Sequence, residues 1–198
     1  FWAPVHAGME RIHAETGDVI ESVSVSDAAS DVNHAQLLEG NTVAIFSSRL
    51  TDAIIKYDMV TQEVLWICGG EYGQFDLYDV RGVKHDPGAK LWAGQHNAES
   101  FGDAIYMFDN AYGRNVSSRL VRFAVENGEA TIDWTYELPF PYPYGYAEVF
   151  GDADLLPSGN VLTNWWPKRL SPAIGVAGQQ LFITVTDADL EYDPGQDV

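Results

Sequence analysis

Residues 31–66, DVNHAQLLEGNTVAIFSSRLTDAIIKYDMVTQEVLW, decide the fold prediction, because the chain repeats this segment. A second copy, QHNAESFGDAIYMFDNAYGRNVSSRLVRFAVENGEATIDW, begins at residue 95, and a weaker third copy, DADLLPSGNVLTNWWPKRLSPAIGV, begins at residue 152. The alignment places His34 on His96, Gly40 on Gly102, and the SSRL of residues 47–50 on that of residues 117–120. Internal repetition at this spacing is typical of propeller blades or solenoid coils.

The first copy predicts four short strands, at residues 34–38, 42–47, 53–58 and 63–68. Apolar residues recur with a period of two, as Val43 with Ile45 and Ile55 with Tyr57, and β-branched and aromatic residues dominate. Both features exclude a helical interpretation. Four antiparallel strands in about 40 residues are typical of one propeller blade.

The predicted fold class is therefore all-β, namely a β-propeller of four-stranded antiparallel blades. We expect a single domain over residues 1–198 with an incomplete set of about three to four blades. It comprises a half blade at 1–25, built as a hairpin around Thr16-Gly17-Asp18, and blades at 31–68, 95–137 and 152–186. Residues 69–93 are expected to be a loop that covers one end of the ring, and residues 138–146 a rigid aromatic loop or a plain linker. Because the set of blades is incomplete, we expect this sequence to be part of a longer chain or assembly.

Charge and composition limit the classes of partner. The chain has 29 acidic and 11 basic residues, a net charge of −18, which disfavours nucleic acid and anionic membranes as partners. A small cationic pocket is still compatible with this charge. No apolar run approaches the length of a membrane span. The single cysteine, Cys68, excludes a disulfide within the chain and is expected to be a buried thiol.

The repeated histidines are the first candidates for a functional site. His34 and His96 occupy equivalent positions, so blades around one axis would aim both imidazoles at the same mouth of a channel. Asn33 and Asn97 flank them as possible donors, and Arg114 lies in a turn that could bring a guanidinium to the same mouth. Such a group of side chains suits an anionic tetrahedral ligand. The alternative is structural, with each histidine bonded to the backbone of a neighbouring blade.

Other motifs favour structural roles. Arg49 and Arg119, in the two SSRL segments, are expected to brace adjacent blades. The pairs Asp152-x-Asp154 and Asp187-x-Asp189 lack the spacing of a calcium loop and are interpreted as solvated turn acids. The sequence has no Gly-rich phosphate loop, no Gly-x-Ser-x-Gly and no His-Glu-x-x-His. We therefore expect neither a metal nor a cofactor.

A spaced set of motifs resembles the arylsulfotransferase family of six-bladed propellers. The resemblance covers roughly residues 25–166 and depends on order and blade position rather than on one diagnostic motif. The residues that carry it are Asp31-x-x-His34, Ser47-Ser48-Arg49, Gln95-His96-Asn97, Phe108-Asp109-Asn110, Gly113-Arg114, Ser118-Arg119 and Leu156-Pro157-x-Gly159-Asn160.

The resemblance implies transfer of a sulfuryl group from one phenol to another without a nucleotide donor. It implies that His34, His96 and Arg114 are catalytic and hold the sulfate and phenolic oxygens, and that the partner is a small aromatic sulfate ester or phenol. We add Asn33, Asn97 and Arg119 as candidate substrate-binding residues. The expected location is extracellular or periplasmic.

One departure from the family leaves a second function open. Bacterial members use a further histidine, later in the chain, as the nucleophile that carries the sulfate, whereas no histidine follows His96 in this sequence. The alternative is a non-catalytic propeller that binds a protein or polymer partner, for which the aromatic segment 140–146 would be suitable.

Overall fold

The computed structural model describes residues 1–137, 142–143, 145–165 and 181–185. Over these residues the regular structure is β-strand, apart from one 3-10 turn at Glu39–Asn41. The strands form separate sheets that follow one another along the chain. The all-β prediction is confirmed.

The first sheet has three strands, β1 (Trp2–Val5), β2 (Gly8–Ile12) and β3 (Val19–Ser24), in the order β1-β2-β3. The sequence predicted only the β2–β3 hairpin, whose turn contains Gly17 at a φ of 76°. It did not predict β1, a four-residue strand that contains Pro4. Among the described strands, β1 lies at the edge of its sheet, which is where a proline without an N–H donor is tolerated.

The second sheet contains β4 (Val32–Leu38), β5 (Val43–Ser48), β6 (Ala53–Asp58) and β7 (Glu63–Cys68). All neighbours are antiparallel and follow the chain order. The four predicted strands are confirmed, and their bounds differ by two residues at most. β5 is buried along its whole length, as expected for a strand with other strands on both sides.

The third sheet is larger than the predicted blade. Its strands are β8 (Asp76–Tyr78), β9 (Lys84–His85), β10 (His96–Phe101), β11 (Ala104–Asp109), β12 (Arg119–Glu126) and β13 (Glu129–Glu137). They lie in the order β10-β11-β12-β13-β8-β9. Asn127 and Gly128, with φ values of 52° and 83°, form the predicted tight turn between β12 and β13.

The expectation for residues 69–93 is wrong. Instead of a loop over one end of a ring, this segment supplies β8 and β9, and β8 pairs in parallel with β13 at the outer edge of the third sheet. Leu77 of β8 is buried in the core. Strands of two and three residues are too short to show a recognisable period, so the sequence pattern could not reveal them.

The fourth sheet contains β14 (Asp152–Leu155), β15 (Val161–Trp165) and β16 (Leu181–Val185) in that order. Most of the expected aromatic loop at 138–146, and the acidic pair Asp187-x-Asp189, lie outside the described residues.

The strand register supports the alignment of the two histidines. His34 of β4 pairs with Ser47, the fifth residue of β5, and His96 of β10 pairs with Phe108, the fifth residue of β11. The strand irregularities lie on opposite sides of the two residues, before His34, between Val32 and His34, and after His96, between His96 and Glu99. The two histidines nevertheless occupy equivalent places in successive sheets.

The register also supports one aligned pair and rejects another. Trp66 lies opposite Lys56, and Trp134 lies opposite Arg122, at the same place in each sheet. The SSRL match does not hold, because Ser47-Ser48 end a second strand whereas Arg119 begins a third strand. The two arginines of this motif are therefore not structural equivalents.

Hydrophobic contacts join successive sheets. Phe46 and Ile55 of the second sheet pack with Met9 and Val23 of the first. The third sheet packs on the second through a cluster that contains Ile45, Ile54, Met107, Val121, Phe123 and Cys68. Trp92 stacks on Phe123 with ring centroids 5.2 Å apart, and its indole Nε1 donates to the Asp52 carbonyl at 2.9 Å. The 69–93 segment therefore ties the second sheet to the third.

The predicted state of Cys68 is confirmed. Its side chain is fully buried, and this burial raises the pKa of the thiol. Among the described residues, no helix is long and apolar enough to cross a membrane.

Candidate functional site

His96 is the candidate residue whose surroundings are best defined. Its Nδ1 lies 2.8 Å from Asn110 Oδ1 and 3.2 Å from the Gly94 carbonyl, and its Nε2 lies 3.2 Å from the Phe150 backbone nitrogen. The Phe150 N–H can only donate, so Nε2 accepts and the proton is on Nδ1. Burial lowers the pKa of His96, opposed by the bonds to Asn110 and Gly94, while Arg49 lowers it and its partner Asp31 raises it. The imidazole is thus neutral at neutral pH.

Asn110 fixes both the imidazole and the loop that faces it. The side chain is fully buried just after β11. While its Oδ1 contacts His96, its Nδ2 donates to the carbonyls of Ala147 and Phe150 at 3.0 and 2.7 Å. One amide therefore joins the end of β11 to the residues that precede β14. Asn110 belongs to the Phe108-Asp109-Asn110 motif, but the sequence pattern alone does not indicate a role for it.

A cavity of about 460 Å³ lies beside the His96 ring, and we refer to it as the His96 cavity. Its described lining consists of Asn33, His96, Asn97, Phe150, Gly151, Asp152 and Asn164. Asn33 Nδ2 donates to the Gln95 carbonyl at 2.7 Å, and Asn97 Nδ2 donates to Asp152 Oδ1. Three of the six predicted site residues, namely His96, Asn33 and Asn97, are thus brought together.

His34 lies nearby but is not part of this lining. Its Nε2 is 3.2 Å from Glu99 Oε1 on the neighbouring strand β10, although the geometry is not that of a hydrogen bond. Burial raises the pKa of Asp152 and of Asp154 in β14, and His34 acts electrostatically against this rise. The first strands of three successive sheets therefore bring one imidazole and three carboxylates close together.

The interpretation of Asp152 and Asp154 as solvated turn acids is wrong. Both lie in β14, at least half shielded from solvent. Burial is the main cause that raises the pKa of Asp152, and burial together with Asp152 and Glu99 raises the pKa of Asp154 to about 6. A two-residue spacing places both carboxyl groups on one face of a strand. Only the strand assignment reveals this, since an Asp-x-Asp motif by itself is equally suited to a turn.

Arg114 and Arg119 are bonded mainly to backbone carbonyls and do not line the His96 cavity. Arg114 donates to the carbonyls of Lys90, Leu91 and Trp92. Arg119 donates to the Leu91 carbonyl at 2.6 Å and to the buried Asp109 carboxylate at 3.0 Å. Arg119 therefore braces β11 against the 69–93 segment, consistent with the structural role expected for it.

A second cavity, of about 280 Å³, contains Arg114, and we refer to it as the arginine cavity. Its described lining consists of Arg49, Leu50, Asp52, Lys90, Ala93, Tyr112 and Arg114. The Arg49 guanidinium lies 5.3 Å from the centroid of the Tyr112 ring and pairs with Asp31 at 3.0 Å. Lys90 Nζ pairs with Asp52 at 2.7 Å. Arg114, bonded to neutral carbonyls, keeps a charge that no carboxylate of this lining offsets.

Residues that are close in the sequence line both cavities, for example Ala93 in the arginine cavity and His96 in the His96 cavity. Gly94, whose carbonyl contacts His96, has its Cα against Tyr112, so an added Cβ would lie 2.6 Å from the Tyr112 Cβ. Asn110, the other partner of His96, is two residues from Tyr112. Arg49 also acts on the pKa of His96. Gly94 and Asn110 thus connect the His96 imidazole to the Tyr112 wall of the arginine cavity.

Comparison with known proteins assigns a family. The family model described as Arylsulfotransferase (ASST) matches residues 13–165, which is well over half of the chain. The chain belongs to the arylsulfotransferase family. Among curated proteins, none matches it.

Family membership agrees with the resemblance carried by the repeated histidines. The described side chains offer a neutral imidazole and amide groups at the His96 cavity, and two guanidinium groups at the arginine cavity. Among the described residues, no group of three or more His, Cys, Asp or Glu side chains is arranged to hold a metal ion.

Proposed function

We propose that this protein transfers a sulfuryl group from an aryl sulfate to a phenolic acceptor without a nucleotide donor. Membership of the arylsulfotransferase family supports the class of reaction. The observation that carries the proposal is the neutral His96 at the wall of a cavity of about 460 Å³, with its Nε2 turned to an exposed loop. A neutral imidazole that can accept a proton is what an incoming phenol requires.

We also propose that the sheets are consecutive blades of a propeller. The same contacts recur from sheet to sheet, since β10 contacts β4 and β5, and β14 contacts β10 and β11. This recurrence supports a constant rotation between neighbouring sheets around their first strands. His34 and His96 would then face the axis from adjacent blades.

In the proposed reaction, the sulfur–oxygen bond to the donor phenol breaks as one to the acceptor oxygen forms. His96 Nε2 takes the acceptor proton, which requires the Phe150 N–H to move away, and returns it to the departing phenolate. Arg114 and Arg49 are proposed to hold the sulfate oxygens from the side of the arginine cavity. His34 is proposed to contact a sulfate or phenolic oxygen, and Asn33 and Asn97 to orient the acceptor.

The test follows release of 4-nitrophenol from 4-nitrophenyl sulfate in the presence of a phenol, with mass spectrometry of the sulfated acceptor. His96→Ala is expected to lower kcat by about a hundredfold or more, as for loss of a general acid–base group. His13→Ala, at an exposed histidine of the β2–β3 turn, is the matched control and should keep the wild-type rate.

Two results would refute the proposal. One is a His96→Ala rate equal to that of His13→Ala. The other is absence of sulfated acceptor with the wild-type protein, which would favour the non-catalytic binding function.

A further inference from the structure

We propose that the His96 cavity selects phenols that carry a positively charged amine, and that Asp152 is the residue responsible. This inference rests on the proposed function, because it concerns the acceptor of that reaction. It concerns a different feature of the site, namely the charge of the wall that faces the acceptor.

The described lining of the His96 cavity contains a carboxylate but neither Lys nor Arg. Asp152 supplies that carboxylate, next to the amides of Asn33, Asn97 and Asn164. Asn97 Nδ2 and the Ala153 N–H donate to Asp152 Oδ1, whereas Oδ2 has a long contact of 3.4 Å with Asn164. Asp154 also shares a side-chain hydrogen bond with Asp152, but its pKa of about 6 leaves it ionised and unable to donate at pH 7.5. Oδ2 therefore has spare capacity for an N–H donor from a ligand.

The carboxylates close to Asp152 carry the same negative charge as Asp152 itself. Burial and then Glu99 of β10 raise the pKa of Asp152, and burial, Asp152 and Glu99 raise the pKa of Asp154, while His34 of β4 partly offsets both effects. In a recess with low-dielectric walls, such charges concentrate the potential at the opening. An anionic acceptor would be repelled, and an ammonium group would be attracted.

Two further features of the cavity fit a phenol that carries an ammonium group. Phe150 is 64% exposed, and its ring centroid lies 6.2 Å from that of His96, so an aromatic ligand can pack on it without displacing other side chains. Asn33 has a buried Oδ1 without a hydrogen-bond partner. An N–H donor from the ligand would satisfy this oxygen. The phenol hydroxyl is then assigned to His96 and the ammonium to the Asp152 side.

The experiment measures binding by titration calorimetry, so it does not depend on turnover. Three phenols of similar size are compared at pH 7.5, namely 4-hydroxybenzylamine, its neutral analogue 4-hydroxybenzyl alcohol, and 4-hydroxybenzoate. The cation is expected to bind about tenfold more tightly than the neutral compound and the anion to bind weakest, an effect of the size expected for one half-exposed charge pair.

Asp152→Asn tests the assigned residue while keeping its shape. It should reduce the preference for the cation to about twofold or less. Asp103→Asn, at an exposed carboxylate in the β10–β11 turn, makes the same change of net charge and should leave the preference intact. Circular dichroism spectra and thermal melts of both variants verify that they are folded.

The outcomes separate this inference from the proposed function. Equal binding of the three phenols, or an undiminished preference in Asp152→Asn, overturns the inference even if sulfuryl transfer occurs. A preference that disappears in Asp152→Asn and persists in Asp103→Asn supports it even if no transfer is detected. In that case the cavity binds phenols that carry an ammonium group without catalysing this reaction.

Discussion

Asn110 is the residue whose replacement tests the site most directly. Asn110→Ala removes three hydrogen bonds, namely 2.8 Å to His96 Nδ1, 3.0 Å to the Ala147 carbonyl and 2.7 Å to the Phe150 carbonyl. Each such bond contributes about 1 kcal/mol net, and the buried Ala147 carbonyl loses this partner. We therefore expect the free energy of unfolding to fall by about 3 kcal/mol. For a chain of this size the loss corresponds to a fall in Tm of roughly 6–12 °C.

Asn110→Ala should also change the titration of His96. The bond to Asn110 raises the pKa of the imidazole against the effect of burial, because it stabilises the charged form. Without it, the pKa of His96 should fall further below its usual range. The stability is measured by urea unfolding followed by tryptophan fluorescence, and the titration by NMR of the imidazole resonances.

The control for this change is Asn115→Ala, at an exposed asparagine of the same connection between β11 and β12. It should leave both stability and the His96 titration nearly unaltered. A loss below about 1 kcal/mol in Asn110→Ala, or a His96 pKa that rises, would contradict the role assigned to this amide.

Three further predictions concern other parts of the molecule. Gly151→Ala should lower the free energy of unfolding, measured in urea, by about 2–3 kcal/mol. The reason is that the added Cβ would lie 2.3 Å from the buried Phe108 ring, at a backbone φ of 123°. The control Gly102→Ala, which has open space around it, should lower the free energy of unfolding by about 1 kcal/mol. Asp154 has its pKa raised to about 6 in the folded state, so it destabilises the fold above that pH and has no effect below its ordinary pKa. Asp154→Asn should therefore stabilise the protein by about 1 kcal/mol at pH 7.5, allowing for solvent screening, and not at pH 3.5, as thermal melts at both values would reveal. Cys68, buried with a raised pKa, should react with a thiol reagent only after denaturation, and reaction in the native state would place it elsewhere than in the core.

The second sheet is the part of the fold that the sequence predicts best. Its strands alternate regularly, each is followed by turn residues, and all neighbours in the sheet are also neighbours in the chain. Local patterns suffice for such a meander. By contrast, β8 pairs with β13 across about 50 intervening residues, and no local signal encodes that contact.

The candidate site likewise has features that local sequence patterns predict and features that depend on long-range contacts. The sequence by itself determined that His34 and His96 are equivalent, because each lies at the same place in a repeated unit, and that the chain resembles the arylsulfotransferase family. Only the tertiary structure decided which side chains surround them. Arg114 is bonded to the carbonyls of residues 90–92, and the unassigned Asn110 holds His96. Asp152, which the sequence analysis interpreted as a turn acid, lines the cavity. The sequence could not predict this position, because it depends on how the third and fourth sheets pack. Packing between sheets is a long-range property that repeat spacing does not contain.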